Sequence, residues 1–217
     1  DRPIPDVATL EFKQPAEQRL NAEADTNPQV WISWQTVPAG HPDAYALEVL
    51  QHLLSGRTGR LHKALVLSNR VATDTFASND ARKWAGSFAV GGESAEGRTP
   101  AEVEAALYAE VDRLRTEPVP APELQKVKNN LAAAEYRKLS GNLEILMQLL
   151  HFTGLGHWRE INEAGAKLQA VTADDIRRVV STYFAKENRT AAVFTRKAGA
   201  PSADKLSQEE AAEIGAA

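Results

Sequence analysis

The side chains best able to hold a metal are five histidines, His41, His52, His62, His151 and His157, in a chain with no cysteine. Thiolate zinc sites, iron–sulfur clusters, disulfides and a cysteine nucleophile are therefore excluded, and any metal would rest on imidazole and carboxylate. Glu48 and His52 stand four apart, so on a helix they share a face and offer half of a two-ligand site. No third ligand has an obvious place, and an ordinary surface pair is the simpler account. His151 and His157 flank a glycine-interrupted turn that one helical face cannot bridge, and capping or core roles suit them better.

A second candidate is the loop Ser55-Gly56-Arg57-Thr58-Gly59-Arg60, which places two glycines and two arginines before a helix. Backbone amides at such a start can cradle an anion. Lys63 does not follow the second glycine directly, so this is no nucleotide-binding P-loop, and a helix connector with solvated basic groups is the simpler reading. No Gly-x-Ser-x-Gly turn raises a serine nucleophile. Neither His-x-x-Glu-His nor His-Glu-x-x-His occurs, the two strings that would set two imidazoles and a general base on one helical face for zinc hydrolysis.

These residues must be positioned by a chain of 217 residues that is 43% apolar and 25% charged, an ordinary globular composition large enough for a real core. With 25 basic against 29 acidic residues the formal charge is -4, which argues against a protein that works on nucleic acid. No apolar run reaches the roughly 18–20 residues of a membrane span. The chain opens Asp1-Arg2-Pro3, without Met or a leader, and is expected to be a piece of something longer or a mature form.

Pro3, Pro5, Pro15 and Pro28 mark residues 1–28 as an extended lead-in, with one strand expected near Ala8 to Lys13. Val30 to Val37, β-branched and aromatic between prolines, predicts the best strand. Ala46, Leu47, Leu50, Leu53 and Leu54 then predict a helix over Asp43 to Ser55, and a short helix follows from Gly59 to Leu67. Val71 to Ser78 and Ser87 to Gly92 predict a hairpin turning near Asn79-Asp80. Thr99, Pro100 and Glu102 form a capping box for a helix with Val103, Leu107, Val111 and Leu114 on one face. Pro118, Pro120 and Pro122 end it, and another helix runs from Pro122 to about Leu139. Leu143 to Leu150 is so densely apolar that a buried helix is expected, stopping near Gly154 and Gly156. Helices from Trp158 to Leu168 and from Thr172, with Ile176, Val179, Val180 and Phe184 facing the core, precede a last strand at Thr190 to Thr195. Residues 197–217 read as a flexible tail. Strands near the start and helices grouped afterwards favour an α+β fold, in which the last strand must return to the sheet.

From about Val30 to Thr195 the chain resembles one repeat of the pitrilysin/insulinase family of zinc metallopeptidases. His41-Pro42-Asp43 with Ala46-Leu47-Glu48-Val49-Leu50 resembles the family's D-x-x-A-L-x-V-L helix. The segment from Ser55 through Arg60-Leu61 to Leu65 resembles its G-x-x-S-R-L-x-x-x-L. Gly156-His157-Trp158-Arg159 resembles the G-D-W turn of bacterial members, and Val171-Thr172-Ala173-Asp174-Asp175-Ile176, with Tyr183 and Asn188-Arg189-Thr190, resembles V-T-x-x-D-I followed by Y-x-x-x-N-R-T. Arg2-Pro3-Ile4-Pro5 resembles an inter-repeat linker.

The resemblance implies a mixed, mostly antiparallel sheet packed against a layer of helices, spanning residues 29–196. It implies a non-catalytic repeat that lines the chamber of a clamshell closing on a peptide substrate, with an HxxEH-bearing catalytic half as partner in the same chain or a separate subunit. Zinc is expected in that half, and no catalytic, cofactor-binding or metal residue is nominated here. Many non-catalytic partners carry an Arg and, seven residues later, a Tyr that reach substrate; the matching positions are Val66 and Thr73, which supply neither group. Either this repeat does not face the zinc site, or substrate is handled differently. A scaffold of the same fold is the alternative function, and an anion-binding module built on Gly56 to Arg60 a third. Bacterial relatives suggest a periplasmic or secreted setting.

Overall fold

The computed structural model describes residues 14–156 and 158–197. It is an α+β fold, five strands in one mixed sheet and six α-helices. The strands are β1 (Gln18–Ala24), β2 (Gln29–Thr36), β3 (Ala72–Ala81), β4 (Gly86–Ser94) and β5 (Arg189–Arg196), in the spatial order β1-β5-β2-β4-β3. All neighbours are antiparallel except β1 and β5. The helices are α1 (Pro42–Leu54), α2 (Pro100–Thr116), α3 (Ala121–Arg137), α4 (Asn142–Leu155), α5 (Glu160–Ala170) and α6 (Ala173–Tyr183).

Period-two alternation gives the sheet two unlike faces. Val30, Ile32 and Trp34 of β2, Phe88 and Val90 of β4 and Ala191 of β5 are buried. With them in one core lie Leu47 and Leu50 of α1, Leu107 of α2 and Ile176 and Val180 of α6. The Trp34 ring stacks on Phe184 at 4.5 Å. Capping boxes start α2 at Thr99 and α6 at Thr172, as their Thr-x-x-acid spacing predicts. At the start of α1, Asp43 accepts from the Tyr183 hydroxyl at 2.6 Å and pairs with Arg178 at 2.8 Å. This clasp joins the two helices across 140 positions of sequence. Burial pushes the Asp43 carboxyl up, but Arg178 and Tyr183 outweigh it and hold it below the usual carboxylate range.

The opposite face carries a narrow apolar row. Leu20, Ala192, Trp31, Gly91 and Phe76 stand directly opposite one another across all five strands. Gly91 lets the two rings meet: a Cβ there would lie 2.3 Å from the Phe76 ring, which packs edge-on against Trp31 at 4.8 Å. Leu20 and Trp31 are half exposed; one flanking row is largely polar, Gln18, Thr190, Ser33, Ala89 and Ser78, and the other sets Ala22 and Phe194 beside Gln29, Glu93 and Asp74.

Four sequence expectations shift. The lead-in contains β1, which lacks β-branched and aromatic residues and is therefore silent by propensity. Its parallel pairing with β5 and ion pairs from Glu17 to Arg189 and Arg19 to Glu104 hold it in place. The strand expected near Ala8 to Lys13, His157 and the tail beyond Lys197 lie outside the described residues. The hairpin turns at Arg82 to Ala85, not at Asn79-Asp80, which continue β3. The short helix after Gly59 is a π-helical turn over His62–Ser68. Finally, α4 is not buried: no residue of it is, and Leu143, Met147 and Leu150 are 67%, 56% and 58% exposed. Its apolar residues lie on two faces, and among the described residues only one of them has a neighbour.

Candidate functional site

A cleft of 320 Å³ opens between α1, the end of β3, α3, α4 and α5. α1 brings Tyr45 and Glu48 to it, because both lie on the turn that leads away from the buried Leu47–Leu50 stripe. β3 adds Asn79 and Asp80, α3 adds Glu135, and α4 supplies His151 with an apolar floor of Phe152 and Leu155. The Tyr45 hydroxyl donates to Glu160 of α5, which also accepts from Lys167 at 2.5 Å. Burial, then the Glu160 acceptor, pushes the Tyr45 phenol up to about 12. Burial works against the Lys167 charge, yet Glu160 and Glu163 hold that ammonium above its ordinary range.

The outer edge of β3 is partly closed by α1. The Asn79 backbone N–H donates to Gln51 Oε1 at 2.6 Å, and its side-chain amide donates to Glu48 Oε2 at 3.3 Å. A helix side chain thus satisfies one backbone N–H of this edge strand, at Asn79.

The sequence candidates separate in space. Glu48 and His52 do share a face of α1, where His52 Nδ1 lies 3.6 Å from Glu48 Oε1 and 3.1 Å from the Glu48 carbonyl oxygen, a pair within one exposed helical turn. Among the described residues no group of three or more His, Asp or Glu is placed to hold a metal. In the glycine loop, Gly56 takes the left-handed backbone (φ +76°). Gly59 passes so close that a Cβ would lie 2.2 Å from the Ser55 carbonyl oxygen. Arg60 is turned away from any anion: Nε and Nη2 donate to Glu123 of α3 at 3.0 and 2.7 Å. The loop therefore joins α1 to α3. Val66 lies on the π-helical turn, partly buried against the core, and Thr73 is exposed with its hydroxyl donating to Glu93 at 3.1 Å. His151 stands at the cleft rim, its ring 5.3 Å from Phe152.

Tyr45, Asn79, Glu135 and Glu160 were not singled out by spacing. One signal was available: Glu160, Glu163 and Lys167 recur at helical intervals on α5, as a charged face does. The contact between α1 and α5 that brings Tyr45 to Glu160 spans 115 positions and leaves no local trace. The cleft combines carboxylates at its rim with an apolar floor and no nucleophile paired to a base. Two of those carboxylates are engaged within the molecule, Glu160 by Tyr45 and Lys167 and Glu135 by Lys138, which also lines the cleft, at 2.7 Å.

Residues 2–131 match the family described as the peptidase M16 inactive domain. Among solved structures, a protease from Helicobacter pylori superposes with a TM-score of 0.84 at 19% identity, over 90% of this chain and 48% of that one. This chain thus spans about half the length of that protease. An inactive peptidase domain from Bordetella parapertussis gives 0.71 at 21% identity, covering 80% of this chain and 95% of the other. A chain of Complex III2 from Candida albicans gives 0.68 at 15% identity, with 83% and 45% covered. At these identities the likeness is one of fold. Comparison with curated proteins yields no match.

Proposed function

The chain belongs to the peptidase M16 inactive-domain family, and from that premise we propose that it forms the non-catalytic part of the substrate chamber of a zinc endopeptidase. Peptide hydrolysis is then carried out by a half that bears HxxEH and holds the zinc. The observation that carries this reading is the cleft beside α1: Glu48, Glu135 and Glu160 over a floor of Phe152 and Leu155 can hold a peptide but cannot cut it.

The test is reconstitution. Peptide cleavage is measured with the HxxEH half alone, this chain alone and the two together, with metal content determined for each. Cleavage that requires both, with zinc only in the other half, is expected. One tightly held zinc in this chain, with cleavage by this chain that chelation abolishes, overturns the reading. A scaffold of the same fold is the second reading. The Complex III2 chain is a fold relative from an assembly, and α4 leaves an apolar face uncovered. Equal cleavage by the HxxEH half with and without this chain favours it.

A further inference from the structure

β1 belongs to the sheet but not to the core. None of its residues is buried, and no described residue before Val30 is among the core side chains. On the helix-covered side of the sheet, the side of Ala191, it presents Arg19, Asn21 and Glu23. Among the described residues, β5 is the one element on which it packs closely. What holds it at one end is a circuit of charge. Glu17 accepts from Arg189 Nε at 2.8 Å, and the Arg189 guanidinium lies 4.1 Å over the Tyr108 ring. The Tyr108 hydroxyl donates to Glu104 at 2.9 Å, and Glu104 in turn accepts two hydrogen bonds from Arg19, which lies 3.6 Å from Glu17. Gln14 Nε2 adds a bond to the Arg189 carbonyl at 2.7 Å. Arg189, chiefly, holds the Glu17 carboxyl below its ordinary range; burial pushes the Glu104 carboxyl up, but Arg19 and Tyr108 outweigh it. At the other end, the Lys197 N–H donates to the Ala24 carbonyl at 3.0 Å and Arg196 donates to the Asn27 side chain.

We propose that residues 14–24 form a strap, clamped by this circuit, that opens from the edge of the sheet as one unit while the rest of the domain stays folded. A strand that fills the core cannot leave without exposing it. β1 takes no core side chain with it, and on leaving it regains the conformational freedom of its chain. Its ladder is also the one parallel pairing of the sheet, the slightly weaker kind per residue. The sheet that remains, β5-β2-β4-β3, is antiparallel throughout and keeps every core side chain. Opening bares the outer edge of β5, the kind of edge that natural sheets cover or charge. The strap is a removable cover for that edge, and it sets where the lead-in leaves the domain. The proposal stands apart from the peptidase reading and does not require it.

The test is hydrogen exchange of the folded chain, followed amide by amide. The β1 amides bonded to β5 and the β5 amides bonded to β1 are expected to share one opening, exchanging about 30-fold faster than the amides of β2. Arg189→Gln and Glu104→Gln break the circuit on different elements. Each is expected to speed the shared opening about tenfold, as loss of a charged hydrogen bond does, with β2 and α1 amides changed by less than about twofold. Glu104→Gln lies outside both strands and carries the test should Arg189→Gln unfold. Ordinary fraying of an edge strand gives rates graded from its ends and no common response to the two variants. Such graded rates, β1 amides as slow as those of β2, or variants that speed β1 and β2 alike each overturn the proposal.

Discussion

α1 and α4 are nearly equal in length, 13 and 14 residues, and both are rich in leucine. Eight residues of α1 are buried and none of α4 is. In α1 the buried positions, from Val49 through Leu53, Leu50 and Leu54 to Leu47, take up about half of the helix circumference, because β3, α3, α5 and α6 all pack on it. In α4 the apolar residues divide between an inner face, which floors the cleft with Phe152 and Leu155, and an outer stripe that is exposed, with no neighbour among the described residues. Apolar density alone does not place a helix in the core. What decides is whether neighbouring elements surround the apolar positions: β3, α3, α5 and α6 pack on α1, whereas α4 packs mainly on α5.

The first way to break this comparison is to remove a leucine from α1. Leu50→Ala deletes a side chain with no exposure in the middle of the core, so the loss of transfer free energy and the cavity left behind add. Urea unfolding is expected to show a loss of about 2–5 kcal/mol. A loss under about 1 kcal/mol would mean that the core collapses around the gap and that α1 is less central than its burial indicates.

A smaller effect separates the two helices by charge rather than packing. α1 is tied to α6 by the Asp43 carboxylate, whereas the one acidic residue of α4 has no such clasp. Asp43→Asn is expected to cost about 2 kcal/mol, since it removes charge from hydrogen bonds to Arg178 and Tyr183 in a half-dry site. The pH dependence has a definite sign. Asp43, Glu104 and Glu123 all sit below their ordinary range, so the folded chain releases these protons more readily than the unfolded chain. Their contribution is complete above a pH of about 4 and is lost as pH falls through the folded values. Urea midpoints measured from pH 7 down to 3 should fall for the native chain and less steeply for Asp43→Asn. Parallel curves would remove Asp43 from the acid response.

Much of this arrangement is legible in the linear sequence, for reasons that can be named. Thr99-Pro100-Ala101-Glu102 and Thr172-Ala173-Asp174-Asp175 announce helix starts because capping is a contact between residues three apart. Val30 to Thr36 announces a central strand because β-branched and aromatic residues suit a pleated surface. β1 is silent, since its place rests on β5, some 170 residues away, and on ion pairs that Gln18–Ala24 do not advertise. The cleft is silent for the same reason: Tyr45 and Glu160, or Gln51 and the Asn79 N–H, meet only after the sheet has formed. The Glu48–His52 spacing was legible, but its function was not, because spacing cannot say whether a third ligand will arrive.

The smallest expected effect tests α4 from within a single molecule. Leu146→Ala removes as many carbon atoms as Leu50→Ala, from a side chain that is already about half in water. Little apolar area returns to solvent on unfolding, so in dilute solution the unfolding free energy should change by less than about 0.5 kcal/mol. The amides of α4 should likewise exchange sooner than those of α1, because few apolar contacts hold that helix closed. A loss approaching that of Leu50→Ala would mean that the outer stripe is covered within one chain, and the contrast between the two helices would then collapse. A null effect leaves the outer stripe of α4 outside the cooperative core, as its exposure indicates.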